Sequence, residues 1–185
     1  MTQADSLDLS PLPPLAATDA ATSIAGASST DEESKCRRCG ASCHVAVPAG
    51  PIGTLVVPGL HCMFLEPDAG RFHCSVYSER FERAPWCHTA VEAQPLGYLA
   101  TDCPYGANAD AKLMLPEEQL LPHWPTLLRN MRAWGVPTYI HQRALLAEVT
   151  KRTRRKWVLE PWPGDPERLR LRPVGFTQPY VVGNR

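Results

Sequence analysis

The chain has 185 residues, 44 % of them hydrophobic and 21 % charged, with 19 Lys and Arg balanced by 19 Asp and Glu. This length suits about one domain with a modest core. Electroneutrality argues against a broadly basic nucleic-acid coat, and no stretch approaches the ~20 apolar residues that a membrane-spanning helix needs.

Residues 1–34 are dominated by Ala, Ser, Thr, Asp and Pro, contain no aromatic residue and show no sustained periodicity, which predicts a disordered acidic tail. Six acids against Lys35 leave residues 1–35 with a charge of −5. The first residues show no basic stretch followed by an apolar one, so no secretory signal is expected and the cytoplasm is the expected compartment.

Residues 35–110 are rich in Gly, Pro, Cys and His, and predict a loop-rich cysteine-cluster metal module. Turns are signalled at Pro48, Gly50, Pro51, Gly53, Pro58-Gly59 and Pro67-Asp68-Ala69-Gly70. Between them, short strands are expected over 54–57, 59–64 and 71–77, with a helical turn from Tyr77 that ends before Pro85.

Residues 111–160 read as a helical segment packed on that module. Trp124, Leu127, Leu128, Met131 and Trp134 recur at helical spacing, Pro125 suits a first turn, and Gly135 with Pro137 suits the end. Residues 136–141 then read as extended. A second helix is expected from Gln142 to about Trp157, with Leu145, Leu146 and Val149 inward. Residues 161–185 read as a turn, a short exposed strand at 169–172 and a tail. The fold class expected is α+β, small and irregular.

All seven cysteines fall between Cys36 and Cys103, and four of the six histidines adjoin one: His44, His61, His73 and His88. Thiolate and imidazole are the donors preferred by borderline and soft metals. The odd cysteine count and the missing secretory signal speak against a disulfide framework. Cys36-Arg-Arg-Cys39 has the spacing of a metal knuckle, with Gly40 permitting the sharp bend, and Cys43 is close enough to join as a third ligand. Cys62, Cys74, Cys87 and Cys103 follow, separated by 11, 12 and 15 intervening residues. One of them can complete the first group, leaving three for a second ion, a larger cluster or a structural role. In an extended segment neighbouring side chains point oppositely, so His61 and His73 are expected to face away from a metal held by Cys62 and Cys74.

The pattern resembles the cysteine-cluster proteins described as zinc- or iron-chelating domains, among them the bacterial YkgJ-like and YcgN-like proteins. The resemblance is carried by Cys36, Cys39, Gly40 and Cys43, then Cys62 with Phe64-Leu65, then Cys74, Tyr77 and Arg80, then Cys87, then Cys103-Pro104-Tyr105. It covers residues 36–106 and implies a metal held by Cys36, Cys39, Cys43, Cys62, Cys74, Cys87 and Cys103. Zinc and iron both remain open, including iron in an iron–sulfur cluster. Where the family has adjacent cysteines this chain has Ser42-Cys43, and His44 is close enough to substitute for the missing sulfur.

Arg80 is expected to donate to thiolates or carbonyls around the metal, or else to clamp a carboxylate such as Asp102. Lys151-Arg-Thr-Arg-Arg-Lys156, followed by Trp157, could serve a nucleic-acid or acidic protein partner, or be a solvated helix end that complements the helix dipole. Without a second basic stripe, nucleic acid is not the expected partner. No motif of a nucleophile elbow, zinc protease or phosphate-binding loop is present, so catalysis has no direct support. Three functions follow: a metal-chelating protein, an iron–sulfur protein for electron transfer, redox sensing or as an enzyme partner, and a zinc-stabilised interaction module using the basic segment.

Overall fold

The computed structural model describes residues 35–106 and 111–175. The expected tail at 1–34 and the residues beyond 175 lie outside the described residues.

The first hairpin follows from alternating apolar residues on either side of a glycine-rich turn. Strands β1 (His44–Pro48) and β2 (Thr54–His61) pair antiparallel, joined by a turn in which the Ala49 amide donates to the Gly53 carbonyl at 2.8 Å. Leu55, Val57 and Leu60 of β2 are fully buried. β2 merges two strands that Pro58-Gly59 was expected to separate. Gly59 continues the strand with φ of 80°, which a residue with a Cβ rarely adopts.

Strands β3 (Leu65–Asp68) and β4 (Arg71–Cys74) form a second hairpin. Its two-residue loop, Ala69-Gly70, has positive φ at both positions, the backbone twist that tight hairpins favour. A single 3-10 turn over Tyr77–Glu79 leads into α1 (Arg80–Arg83), which stops before Pro85 as expected. A short helix α2 (Ala90–Ala93) was not expected from the sequence. It is fixed by a capping box in which Thr89 and Glu92 satisfy each other's backbone amides.

After α3 (Glu117–Leu120) and a 3-10 turn, α4 spans Trp124–Trp134, as its periodicity predicts. Trp124, Leu127 and Met131 are buried, whereas Trp134 is half-exposed and leaves the inward stripe. Strand β5 (Val136–Pro137) follows, then α5 (Gln142–Thr153), with Leu145 and Val149 fully buried. The helix expected to reach about Trp157 ends at Thr153, because Arg154 turns into the left-handed region with φ of 56°. Trp157 instead starts β6 (Trp157–Trp162), which pairs with β7 (Asp165–Pro173) in a three-stranded antiparallel sheet of order β5-β7-β6. The strand expected to be short and exposed at 169–172 is therefore part of a nine-residue strand, with Leu169 and Leu171 buried.

The protein is α+β. One core joins Leu55, Val57 and Leu60 of the first hairpin to Leu127, Met131, Leu145, Val149 and Leu171 of the later elements. Each such side chain removed from water contributes roughly 1.5–3 kcal/mol. The cysteine-bearing half is thus supported by an ordinary hydrophobic core along one edge, and no described helix is long and apolar enough to cross a membrane.

Candidate metal centre

Four of the seven cysteines border one cavity of about 550 Å³. Cys43 follows the bend at Gly40, Cys62 follows β2, Cys74 ends β4, and Cys87 follows α1. Backbone hydrogen bonds, two between segments and one within a turn, fix the chain beside them. The Cys62 amide donates to the Cys43 carbonyl at 2.8 Å, the Ser75 amide to the Phe64 carbonyl at 2.9 Å, and the Cys87 amide to the Ala84 carbonyl at 2.8 Å. All seven cysteines are free thiols.

Burial pushes the Cys43 thiol up to about 12, and the neighbouring Cys62, Cys87 and Cys74 add to the effect, while a hydrogen bond with Ser42 opposes it. Burial also raises the Cys87 thiol, and the positive charge of Arg80 opposes it. At neutral pH Cys43 is therefore a protonated thiol, and a metal must displace its proton to bind. Among the described residues, no three His, Cys, Asp or Glu side chains converge closely enough to hold an ion. The four cysteines line a shared space without converging on one point. By chemistry the donor set fits a soft or borderline metal: four thiols and no carboxylate line the cavity.

One wall is aromatic. Trp86 stacks on Tyr139 with ring centroids 4.8 Å apart and lies parallel to Phe64 at 6.3 Å. Tyr139 arrives from the segment after β5, which is anchored where the Met63 amide donates to the Tyr139 carbonyl at 2.9 Å. Sequence reasoning missed this wall because its three rings come from separate segments.

It also missed Lys112, which lines the cavity while only 5 % exposed. The Lys112 Nζ donates to the His44 carbonyl at 2.5 Å and to the Ala41 carbonyl at 3.2 Å, and lies 5.0 Å from the Tyr98 ring. Burial lowers this ammonium to about 8. A lone lysine within the apolar run Ala111-Lys112-Leu113-Met114-Leu115 was the available signal.

The histidines divide. His44 is buried and lines the cavity, with its Nδ1 2.9 Å from the Gly40 carbonyl. A carbonyl only accepts, so Nδ1 carries the proton and Nε2 keeps its lone pair. Burial holds His44 neutral, down to about 4. His61 is bonded through Nδ1 to the Cys62 carbonyl at 3.0 Å, and His73 Nε2 lies 3.4 Å from Glu66. Neither of these two lines the cavity, whereas His88 does, with its ring 5.4 Å from Tyr98.

Cys36, Cys39 and Cys103 lie outside this cavity lining. Arg37 feels the charge of both Cys39 and Cys103 and is paired to Asp102 at 2.9 Å, and the Arg38 amide points at the Cys36 sulfur at 3.4 Å. Of the three cysteines expected to share the first knuckle, Cys43 lines the cavity and Cys36 and Cys39 do not. Asp102 is held by Arg37 and not by Arg80. The Arg80 guanidinium instead donates to the Tyr77 carbonyl at 2.8 Å and stacks on Tyr77 and Phe81 at 4.0 and 4.4 Å.

The basic segment is partly consumed by the fold. Arg152 bonds Glu148 at 2.7 Å and Glu117 at 3.0 Å, Lys151 also reaches Glu117, and Trp157 is buried. Trp157 is therefore not available to stack on a base.

No protein-family model matches the chain, and no curated protein or solved structure is significantly similar to it.

Proposed function

We propose that the protein binds zinc or iron through cysteine thiolates, with Cys43, Cys62, Cys74 and Cys87 as the ligands at the cavity and Cys36, Cys39 and Cys103 as further ligands outside it. One observation carries the reading: four thiols from four separate segments border a single half-enclosed cavity without a carboxylate. The resemblance to the YkgJ-like and YcgN-like cysteine-cluster proteins points the same way, and seven free thiols suit a reducing, cytoplasm-like compartment. A bound metal supplies the charge that draws protons from the thiols and the cross-links that loop-rich sequence lacks. The chain holds the four sulfurs just before β1, at the ends of β2 and β4 and after α1, with the aromatic wall beside them. His44, neutral and lining the same cavity, is the residue suited to stand in for the sulfur missing at Ser42.

A second reading, an iron–sulfur cluster, is favoured by the open spacing of the four thiols around a cavity far larger than one ion requires. A cluster spans such a gap through its own sulfides.

Anaerobic purification followed by elemental and sulfide analysis tests both. Zinc without sulfide supports a single-ion site, and iron with acid-labile sulfide and visible absorption supports the cluster. Cys74→Ser is expected to lose most of the metal. Protein that stays metal-free after purification and after reconstitution with either metal would sink the proposal.

A further inference from the structure

Four thiolates around a divalent ion, or around an iron–sulfur core of the same net charge, leave two surplus negative charges in a half-enclosed space. Buried charge is costly unless it is paired. The cavity lining meets this need with two cations, Lys112 and Arg80, and it carries no carboxylate to pair with either.

Lys112 is the better placed. It is almost fully buried and has no carboxylate partner among the described residues. Its two backbone acceptors, Ala41 and His44, bracket Ser42-Cys43, so the ammonium is fixed over the loop that delivers Cys43. Its own position is set by the backbone: Lys112 bridges Ala100 in parallel, and the neighbouring Leu113 bridges Leu55 of β2. Arg80 is held on α1 by the Tyr77 carbonyl and by the rings of Tyr77 and Phe81, and its charge acts on Cys87. The two cations thus attend two different ligands, Cys43 and Cys87.

We propose that Lys112, assisted by Arg80, is the built-in counter-charge of the thiolate centre, a positioning residue that favours the loaded state without touching the metal. This rests on the thiolate-centre reading above. Among the described residues no carboxylate neutralises this buried ammonium, whose hydrogen bonds go to two neutral carbonyls. Here its place is explained by an anionic centre that forms only on metal binding.

The test uses full-length protein loaded with Zn2+ and titrated against a competing chelator at fixed pH, comparing Lys112→Arg, Lys112→Gln and Arg80→Gln with the wild type. Gln keeps a hydrogen-bond donor while removing the charge. Lys112→Gln is expected to weaken zinc retention by about 10- to 100-fold, Arg80→Gln by less, and Lys112→Arg by no more than about threefold. The thermal midpoints of the metal-free proteins should agree, which separates a charge effect from lost structure. Retention in Lys112→Gln equal to wild type, or a loss in Lys112→Arg as large as in Lys112→Gln, overturns the proposal. If Lys112→Gln does not fold, Arg80→Gln decides: weakened retention supports the counter-charge and wild-type retention overturns it. Wild-type protein that holds neither zinc nor, after reconstitution, iron overturns the thiolate centre itself and this inference with it, and protein that takes iron alone is titrated in its iron form; loaded wild type with indifferent variants overturns the counter-charge alone.

Discussion

Glu160 shows how strongly a single carboxylate can be committed in this fold. Arg172 and Arg170, two residues apart on β7, both reach it, at 2.5 and 2.8 Å. Their hydrogen bonds and charge hold its carboxyl down to about 2, well below the ordinary value of 4.5. The sign follows from that depression: the unfolded chain takes up this proton near pH 4.5 and the folded chain does not until about pH 2. The contribution is complete above pH 4.5 and is lost as pH falls toward 2. Denaturant titrations at pH 6 and pH 3 should therefore show a steeper acid loss for wild type than for Glu160→Gln, and equal losses would show that the cluster does not contribute. Solvent reaches this cluster, so the effect is expected to shrink in high salt.

At the scale of elements, the contact between β2 and α5 is the most exacting. A Cβ placed on Gly59 would lie 2.7 Å from the Ala144 carbonyl oxygen and 3.2 Å from the Glu148 Cβ, and the backbone there has a positive φ. Gly59→Ala should cost about 1–3 kcal/mol from the backbone conformation alone, with the clash in addition. Chemical denaturation measures it, and a neutral result would mean that strand and helix can separate without penalty. Leu127→Ala, in the fully buried face of α4, should cost about 2–5 kcal/mol by the same assay. The sequence announced α4 clearly because five large side chains recur at one period and Pro125 and Gly135 mark its ends. It left β1 unannounced because His44-Val-Ala-Val-Pro48 is short and its pairing depends on β2. The Pro58-Gly59 break was misleading for a physical reason: a dipeptide that usually makes a turn here lets a strand pass close under a helix.

At the scale of the whole molecule, the residue types of the candidate centre were legible while its grouping was not. The cysteines stand out by composition, all seven within residues 36–103. Which of them share a cavity depends on pairings between segments apart in sequence, Cys43 with Cys62 and Phe64 with Ser75, and Lys112 and Tyr139 arrive by further pairings, with Ala100 and with Met63. The segment around Cys62 also binds the two halves of the protein. Cys62 is bridged to Ile140, the Met63 amide donates to the Tyr139 carbonyl, and the His141 amide donates to the His61 carbonyl at 2.8 Å. The hydrogen bonds that seat a candidate ligand are thus the ones that dock the start of α5. By linkage, anything that binds the folded arrangement of Cys62 and not the unfolded one must disfavour the opening of this junction. Hydrogen exchange should read this directly: adding metal is expected to increase protection at the amides of Met63 and His141, and exchange there unchanged by metal would show that the cysteine half opens on its own. The helical half would then serve as a reporter for a chemical event at sulfurs it does not contain.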